Sequence, residues 1–234
     1  MRYTFVTLFP NIIQGYFSDS ILKRAIDKKL ISIDFINPRD FSTNKHKKVD
    51  DTAFGGGAGM LMTPQPLFDA LSHIKKESPR AHMIFLTPVA KQFVQNDAKR
   101  LATNEEHIVF VSGRYEGIDE RIVELFADSV YSIGDYILTG GELPSLVLCD
   151  AISRNVKGVL GNSASLEEES FENHLLEAPS FTKPQNFQNL TPPKEFLKGN
   201  HSKIRSLKFA LSKSKTKYFR PEQYIFAKSL FFKQ

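Results

Sequence analysis

Between residues 83 and 133, short apolar runs and stretches of helical period take turns along the chain. That alternation limits the possible folds more than any other feature. The runs MIFLT (83–87), HIVFVS (107–112) and SVYSI (129–133) are rich in β-formers, and helical patterns over Val89–Leu101 and Ile118–Phe126 separate them. A strand that is apolar on both faces must be covered on both faces, as in a parallel sheet with crossover helices. The same rhythm opens the chain. Tyr3–Phe9 reads as a strand and Ile31–Ile36 as another, ended by Pro38. Between them, Ile21, Leu22, Ala25, Ile26 and Leu30 recur at helical spacing over Asp19–Leu30. A helix from about Glu142 to Val156, with Pro144 tolerated in its first turn, closes the series. The expected fold class is α/β.

Composition changes after this region. Residues 158–170 (GVLGNSASLEEES) are small, polar and acidic, as a flexible linker would be. Beyond them, His201–Ser212 sets Ile204, Leu207, Phe209 and Leu211 among Lys and Arg, and Pro221 begins a second helix. The chain therefore divides into an α/β domain over 1–160, a linker over 161–173 and a small basic helical domain over 174–234. Residues 171–234 carry 12 Lys/Arg against 4 Asp/Glu, or +8, whereas residues 1–170 carry 19 against 22, or −3. A cationic third on a slightly anionic body fits a polyanion partner or a solvated Lys-rich tail about equally, on charge alone.

Several classes are excluded. The single cysteine, Cys149, forbids an intramolecular disulfide, and no Cys/His cluster has zinc-site spacing. The N-terminal MRYTFVTLFPNII is too broken by Thr, Pro and Asn for a signal-peptide core. No run approaches the ~20 apolar residues that cross a bilayer. A soluble cytoplasmic protein with no membrane partner is expected.

Three glycine-rich stretches stand out: FGGGAGM (54–60), GRYEGIDER (113–121) and SIGDYILTGGELP (132–144). None fits the dinucleotide or P-loop fingerprints. The second and third each follow an expected strand, where open α/β sheets bind ligands. Tyr115, Tyr136, Ile133 and Leu138 there would line a slot for a flat heterocycle. Spacing alone slightly favours the plainer reading of turn glycines with core-facing aromatics.

The second and third stretches, with YTFVTLFP at the start, FGGGAGM, and Gly199–His201, resemble the bacterial tRNA (guanine-N1)-methyltransferases of the SPOUT class over nearly the whole chain. The resemblance implies an α/β domain with a deep trefoil knot, a linker and a helical C-terminal domain. It implies S-adenosylmethionine bound in the knot loops by Pro88, Gly113, Tyr115, Glu116, Ile133, Gly134, Asp135, Tyr136, Ile137, Leu138, Gly140, Gly141 and Pro144. Val89 and Ala90 stand where the family usually has Gln-Gly. It also implies a homodimer with active sites at its interface, a tRNA substrate with guanosines at positions 36 and 37, and Mg²⁺ as a candidate helper ion. No residue is assigned to a metal.

Guanine N1 carries a hydrogen at neutral pH and must lose it before it can attack a methyl group. A carboxylate within reach would take that proton, and a guanidinium could stabilise the charge moving to O6. The positions matching the family's base and catalytic arginine are Glu169 and Arg154. Glu169 replaces the usual Asp before Ser170-Phe171. Glu167 and Glu168 are the alternatives in register, and the Ser-Phe anchor favours Glu169. For RNA contacts the matching residues are Ser170, Lys183, His201, Lys203, Arg205 and Lys208, with Lys213, Lys215 and Lys217 as further phosphate contacts. Lys183 replaces a usual arginine, and a usual Trp-Arg is missing near Leu207–Lys208. The rivals are another SPOUT enzyme, such as a ribose 2′-O-methyltransferase, and a non-enzymatic RNA-binding protein.

Overall fold

The computed structural model describes residues 1–161 and 169–231. The first unit, Met1–Gly161, is built on a five-stranded sheet. Its elements run β1 (Arg2–Val6), α1 (Pro10–Gln14), α2 (Ser20–Asp27) and β2 (Ser32–Ile36), then a short antiparallel pair, β3 (Asp50–Asp51) and β4 (Leu61–Met62). There follow α3 (Pro64–Glu77), β5 (His82–Leu86), α4 (Gln95–Asn104), β6 (His107–Ser112), α5 (Glu120–Phe126), β7 (Ser129–Tyr131) and α6 (Glu142–Ser153). The sheet order is β2-β1-β6-β5-β7, and every pairing in it is parallel.

Alternation along each strand sends side chains into two separate cores, because successive residues point to opposite faces. Tyr3 and Phe5 of β1 join Ile84, Ile108, Phe110 and Tyr131 on the face covered by α1, α2, α4 and α6. Val6, Met83, Phe85, Val109 and Val111 join Leu67, Leu71 and Ile74 of α3 and Ile122 of α5 on the other. This two-faced burial explains why the strands read as continuous apolar runs.

Two of the longer helices differ most from the sequence expectations. The helix expected from Val89 begins only at Gln95. Residues 91–93 instead run beside the loop after β7. Ser132 N donates to Lys91 O at 2.9 Å and Phe93 N donates to Ser132 O at 2.8 Å, so those groups cannot join a helix. Helix α3 lies outside the sequence expectations altogether. Pro64 and Pro66 interrupt its pattern, yet both lie in its first turn, where their missing N–H groups cost nothing.

His107, at the start of β6, carries a pH dependence. Burial holds its imidazole down to about 4, and the nearby Arg2 charge adds to this. Its Nε2 lies 2.9 Å from Thr4 Oγ1, and its buried Nδ1 has no hydrogen-bond partner among the described residues. Between pH 6.5 and 4 the unfolded chain holds a proton at this site and the native protein does not. Stability therefore falls on acidification through that window. Discounted for the ring's partial exposure, the loss should be about 1–2 kcal/mol. Urea unfolding at pH 7 and pH 4.5 should show it, and His107→Gln should flatten the difference.

The second unit, Asn162–Gln234, is helical among its described residues, with α7 (Lys194–Leu197), α8 (His201–Phe219) and α9 (Pro221–Phe231). Asn200 caps α8 by accepting from Lys203 N at 3.1 Å, and Pro221 opens α9. Buried Thr216 fastens the preceding segment to α8: its Oγ1 accepts from Leu176 N at 2.9 Å and donates to Ser212 O at 2.7 Å.

Candidate active site

The carboxyl ends of β5, β6 and β7 open onto a cavity of about 700 Å³. That volume lies within the range of small-molecule sites. Three segments wall it: 85–91 after β5, 113–120 after β6, and 130–144, which runs from β7 into α6. Each segment follows a parallel strand, and the three strands are neighbours in the sheet. The cavity therefore sits where the fold class places ligands.

Local sequence explains the shape of the walls. Gly141 N donates to Gly113 O at 2.8 Å, joining the segment after β7 directly to the one after β6. A Cβ on Gly141 would lie 2.8 Å from Ser112 Cα and 2.9 Å from Gly113 N, and both of those atoms are backbone. Only glycine permits this approach. Gly141→Ala should cost about 1–3 kcal/mol through overpacking, read as a lower urea midpoint. Gly134, at φ +154°, leaves room for the Tyr136 ring, which a Cβ would meet at 2.4 Å. Tyr136 OH donates to Ile133 O at 3.2 Å. Tyr115 adopts a positive φ of 60°, and the next residue, Glu116, donates its N–H to Met60 O at 2.9 Å. The glycine-rich FGGGAGM segment is thereby tied to the cavity wall.

Twelve of the thirteen residues matched to cofactor binding line this one cavity: Pro88, Gly113, Tyr115, Glu116, Ile133, Gly134, Tyr136, Ile137, Leu138, Gly140, Gly141 and Pro144. Asp135 does not line it; its Oδ1 instead accepts from Gln92 Nε2 at 3.3 Å. Val89 and Ala90 also line the cavity, and Val89 is strongly exposed at its mouth. Apolar side chains and the two tyrosines suit a flat ring, free backbone groups suit its polar edge, and the Glu116 carboxylate suits a cationic centre. Glu116 and Glu120 are the carboxylates of the wall. Among the described residues no three His, Cys, Asp or Glu side chains come together to hold a metal ion.

Of the two residues matched to catalysis, Arg154 is in the first unit but does not line the cavity, and Glu169 belongs to the second unit. Arg154 follows the last turn of α6, with its N–H donating to Asp150 O at 3.1 Å. The cavity touches the opposite end of that helix, at Gly141 and Pro144. A 12-residue helix is about 18 Å long, so the Arg154 backbone stands a helix-length from the cavity. Glu169 and Ser170 belong to the second unit, where Ser170 Oγ accepts from Glu177 N at 3.2 Å. Glu167 and Glu168 lie outside the described residues. His201, Lys203 and Arg205 are exposed along α8, Lys208 is half-buried there, and Lys183 is exposed on the preceding loop.

Sequence reasoning missed Arg114 and Glu142. Both lie beside the cavity in a buried ion pair; each falls inside a glycine-rich motif, Arg114 in GRYEGIDER and Glu142 in SIGDYILTGGELP, yet nothing local in either motif announces that the two meet.

Comparison with known proteins settles the family. The family model described as tRNA (Guanine-1)-methyltransferase TrmD matches residues 1–225. The chain belongs to this tRNA (guanine-1)-methyltransferase family. Methylation of guanine N1 in tRNA, with S-adenosylmethionine as donor, is the general reaction of the TrmD family. Among its members, the tRNA (guanine-N(1)-)-methyltransferase of Sulfurimonas denitrificans is 69% identical over 223 residues, covering 95% of this chain and 96% of that protein. The protein of the same name from a Sulfurovum species is 70% identical over 224 residues, 96% and 98% of the two chains. That of Campylobacter jejuni is 58% identical over 229 residues. Among the described residues, no helix of this family member is long and apolar enough to cross a membrane.

Proposed function

We propose that the protein transfers a methyl group from S-adenosylmethionine to N1 of guanosine 37 in tRNAs that also carry guanosine 36. The observation that carries this reading is the cavity at the ends of β5, β6 and β7, where twelve residues matched to the family's cofactor site converge. The cofactor supplies an electrophilic methyl on a sulfonium, and the protein's part is to position it and to ready the base. Tyr115, Leu138 and the backbone of 132–141 would hold the adenosine, and the Glu116 carboxylate would suit its cationic end. Glu169 takes the N1 proton, and the Arg154 guanidinium stabilises the charge that gathers on O6. The bound cofactor would supply its methyl group to the deprotonated N1 and leave as S-adenosylhomocysteine.

The site is completed by a second copy of the chain. Arg154 lies a helix-length from the cavity, while Leu143 and Val147 on α6 and Phe9, Ile12 and Tyr16 around α1 expose apolar surface on two helices that pack together. Such a patch suits a self-complementary interface that would bring Arg154 of one copy to the cavity of the other. In this reading the loops 113–118 and 132–141 form the deep trefoil knot, supported by the Gly141–Gly113 hydrogen bond. The second unit binds tRNA through the basic residues of α8, and the protein works in the cytoplasm.

Methyl transfer from labelled cofactor to an unmodified transcript with guanosines at 36 and 37, beside one with adenosine at 37, tests the proposal. Label at N1 of guanosine 37 in the first alone is expected. Equal labelling of both transcripts, or label on ribose oxygen, would sink it.

A further inference from the structure

Arg114 and Glu142 form the least solvent-exposed ion pair described in the protein, and neither side chain lines the cavity. Arg114 Nε lies 2.9 Å from Glu142 Oε2 without hydrogen-bond alignment; the side chains are 17% and 2% exposed. Glu142 Oε1 accepts from Thr7 Oγ1 at 2.7 Å, just past the end of β1. Thr7 Oγ1 in turn accepts from Phe9 N at 2.9 Å. Arg114 NH1 donates to Thr139 O at 3.1 Å, and its guanidinium carbon stands 4.6 Å from the centre of the Phe9 ring. Gly140 lies against the pair: a Cβ there would come 2.5 Å from Arg114 Nε and 2.7 Å from Glu142 Oε2.

Two buried charges are costly to desolvate, and an apolar pair of similar size would often serve stability as well. What apolar residues could not do is grip three segments at once in fixed directions. Arg114 sits between Gly113 and Tyr115 on one wall of the cavity. Glu142 begins α6, where its negative charge also suits the helix N-terminus, and it follows Gly141 on the other wall. We infer that the Arg114–Glu142 pair is a positioning element that fixes the spacing between the 113–117 and 138–141 walls, and thereby the affinity for the adenosyl cofactor. This rests on the cofactor reading of the cavity given above.

The test uses the full chain and S-adenosylhomocysteine, titrated by calorimetry. Arg114→Met/Glu142→Gln removes both charges together, leaves no lone buried ion, and keeps an oxygen for the Thr7 hydroxyl. Its Kd for S-adenosylhomocysteine should rise about tenfold or more, since misplacing a wall by an ångström is enough for that. Its urea midpoint and its tRNA affinity should stay near wild type, and KM should rise for the cofactor but not for tRNA. A Kd within about twofold of wild type, in a folded double variant, overturns the inference. Arg114→Lys keeps the charge beside Glu142 but loses the fork to Thr139. Should the double variant not fold, a roughly threefold or greater rise in Kd for Arg114→Lys supports the inference, and an unchanged Kd overturns it. If the wild-type protein itself fails to bind S-adenosylhomocysteine, the cofactor reading falls and this inference falls with it. Binding by wild type and variants alike sinks only this inference.

Discussion

Glu169→Gln is expected to lower kcat for methyl transfer to guanosine 37 by roughly 10²–10⁴-fold, the range that a positioned general base contributes. The amide keeps the size and much of the hydrogen bonding of the carboxylate but cannot accept the N1 proton. Cofactor affinity, measured with S-adenosylhomocysteine, should be unchanged, because Glu169 belongs to the second unit and the cofactor residues to the first. Glu169→Asp makes the informative companion. It restores the family's usual residue and shortens the side chain by one methylene, so it should retain activity within about tenfold of wild type, the price of a small change in reach. Single-turnover kinetics with saturating tRNA would separate chemistry from binding. Full activity in Glu169→Gln would remove this residue from the mechanism and shift attention to Glu167 and Glu168.

Arg154→Met should lower kcat by roughly 10²–10³-fold, as expected for losing one charged donor at a developing oxyanion. Methionine preserves much of the stem's volume while abolishing the charge, so the fold should survive. If Arg154 serves the cavity of a second copy, the loss carries a further signature. Mixed dimers of Arg154→Met with a variant blocked at the cofactor site, such as one carrying Gly141→Ala, should recover part of the activity. One of the two sites would then hold a wild-type arginine and a wild-type cavity together. Activity no greater than the sum of the separate variants would show that Arg154 acts within its own subunit, and the dimeric site would have to be abandoned.

How much was legible in the sequence varies with the physics behind each element. The strands β1, β2, β5, β6 and β7 could be read within a residue or three of their bounds: burial on both faces leaves a continuous apolar signature in β1, β5 and β6, whereas the half-buried edge strand β2 was read from its alternation. Helices α2, α5 and α6 were legible from spacing. Helix α3 was hidden by prolines that its first turn tolerates, and the start of α4 by residues whose backbone bonds go to a loop some 40 positions away. No local signal announces a long-range partner.

The residues matched to the family's cofactor site show the same boundary. Their identities came from motif resemblance, whereas their convergence on one cavity is a property of the sheet order β6-β5-β7, which places three strand ends side by side. Sequence alone settled the alternation of strands and helices, the cationic second unit and the glycines of the strand-end loops, because these depend on periodicity, charge and local backbone freedom. Only the tertiary structure decided that Gly141 packs on Gly113, that Arg114 pairs with Glu142 out of water, and that Arg154 stands a helix-length from the cavity. Those relations depend on which strands are neighbours and which helix end meets which loop, and distances across a fold are not written in the spacing of residues along a chain.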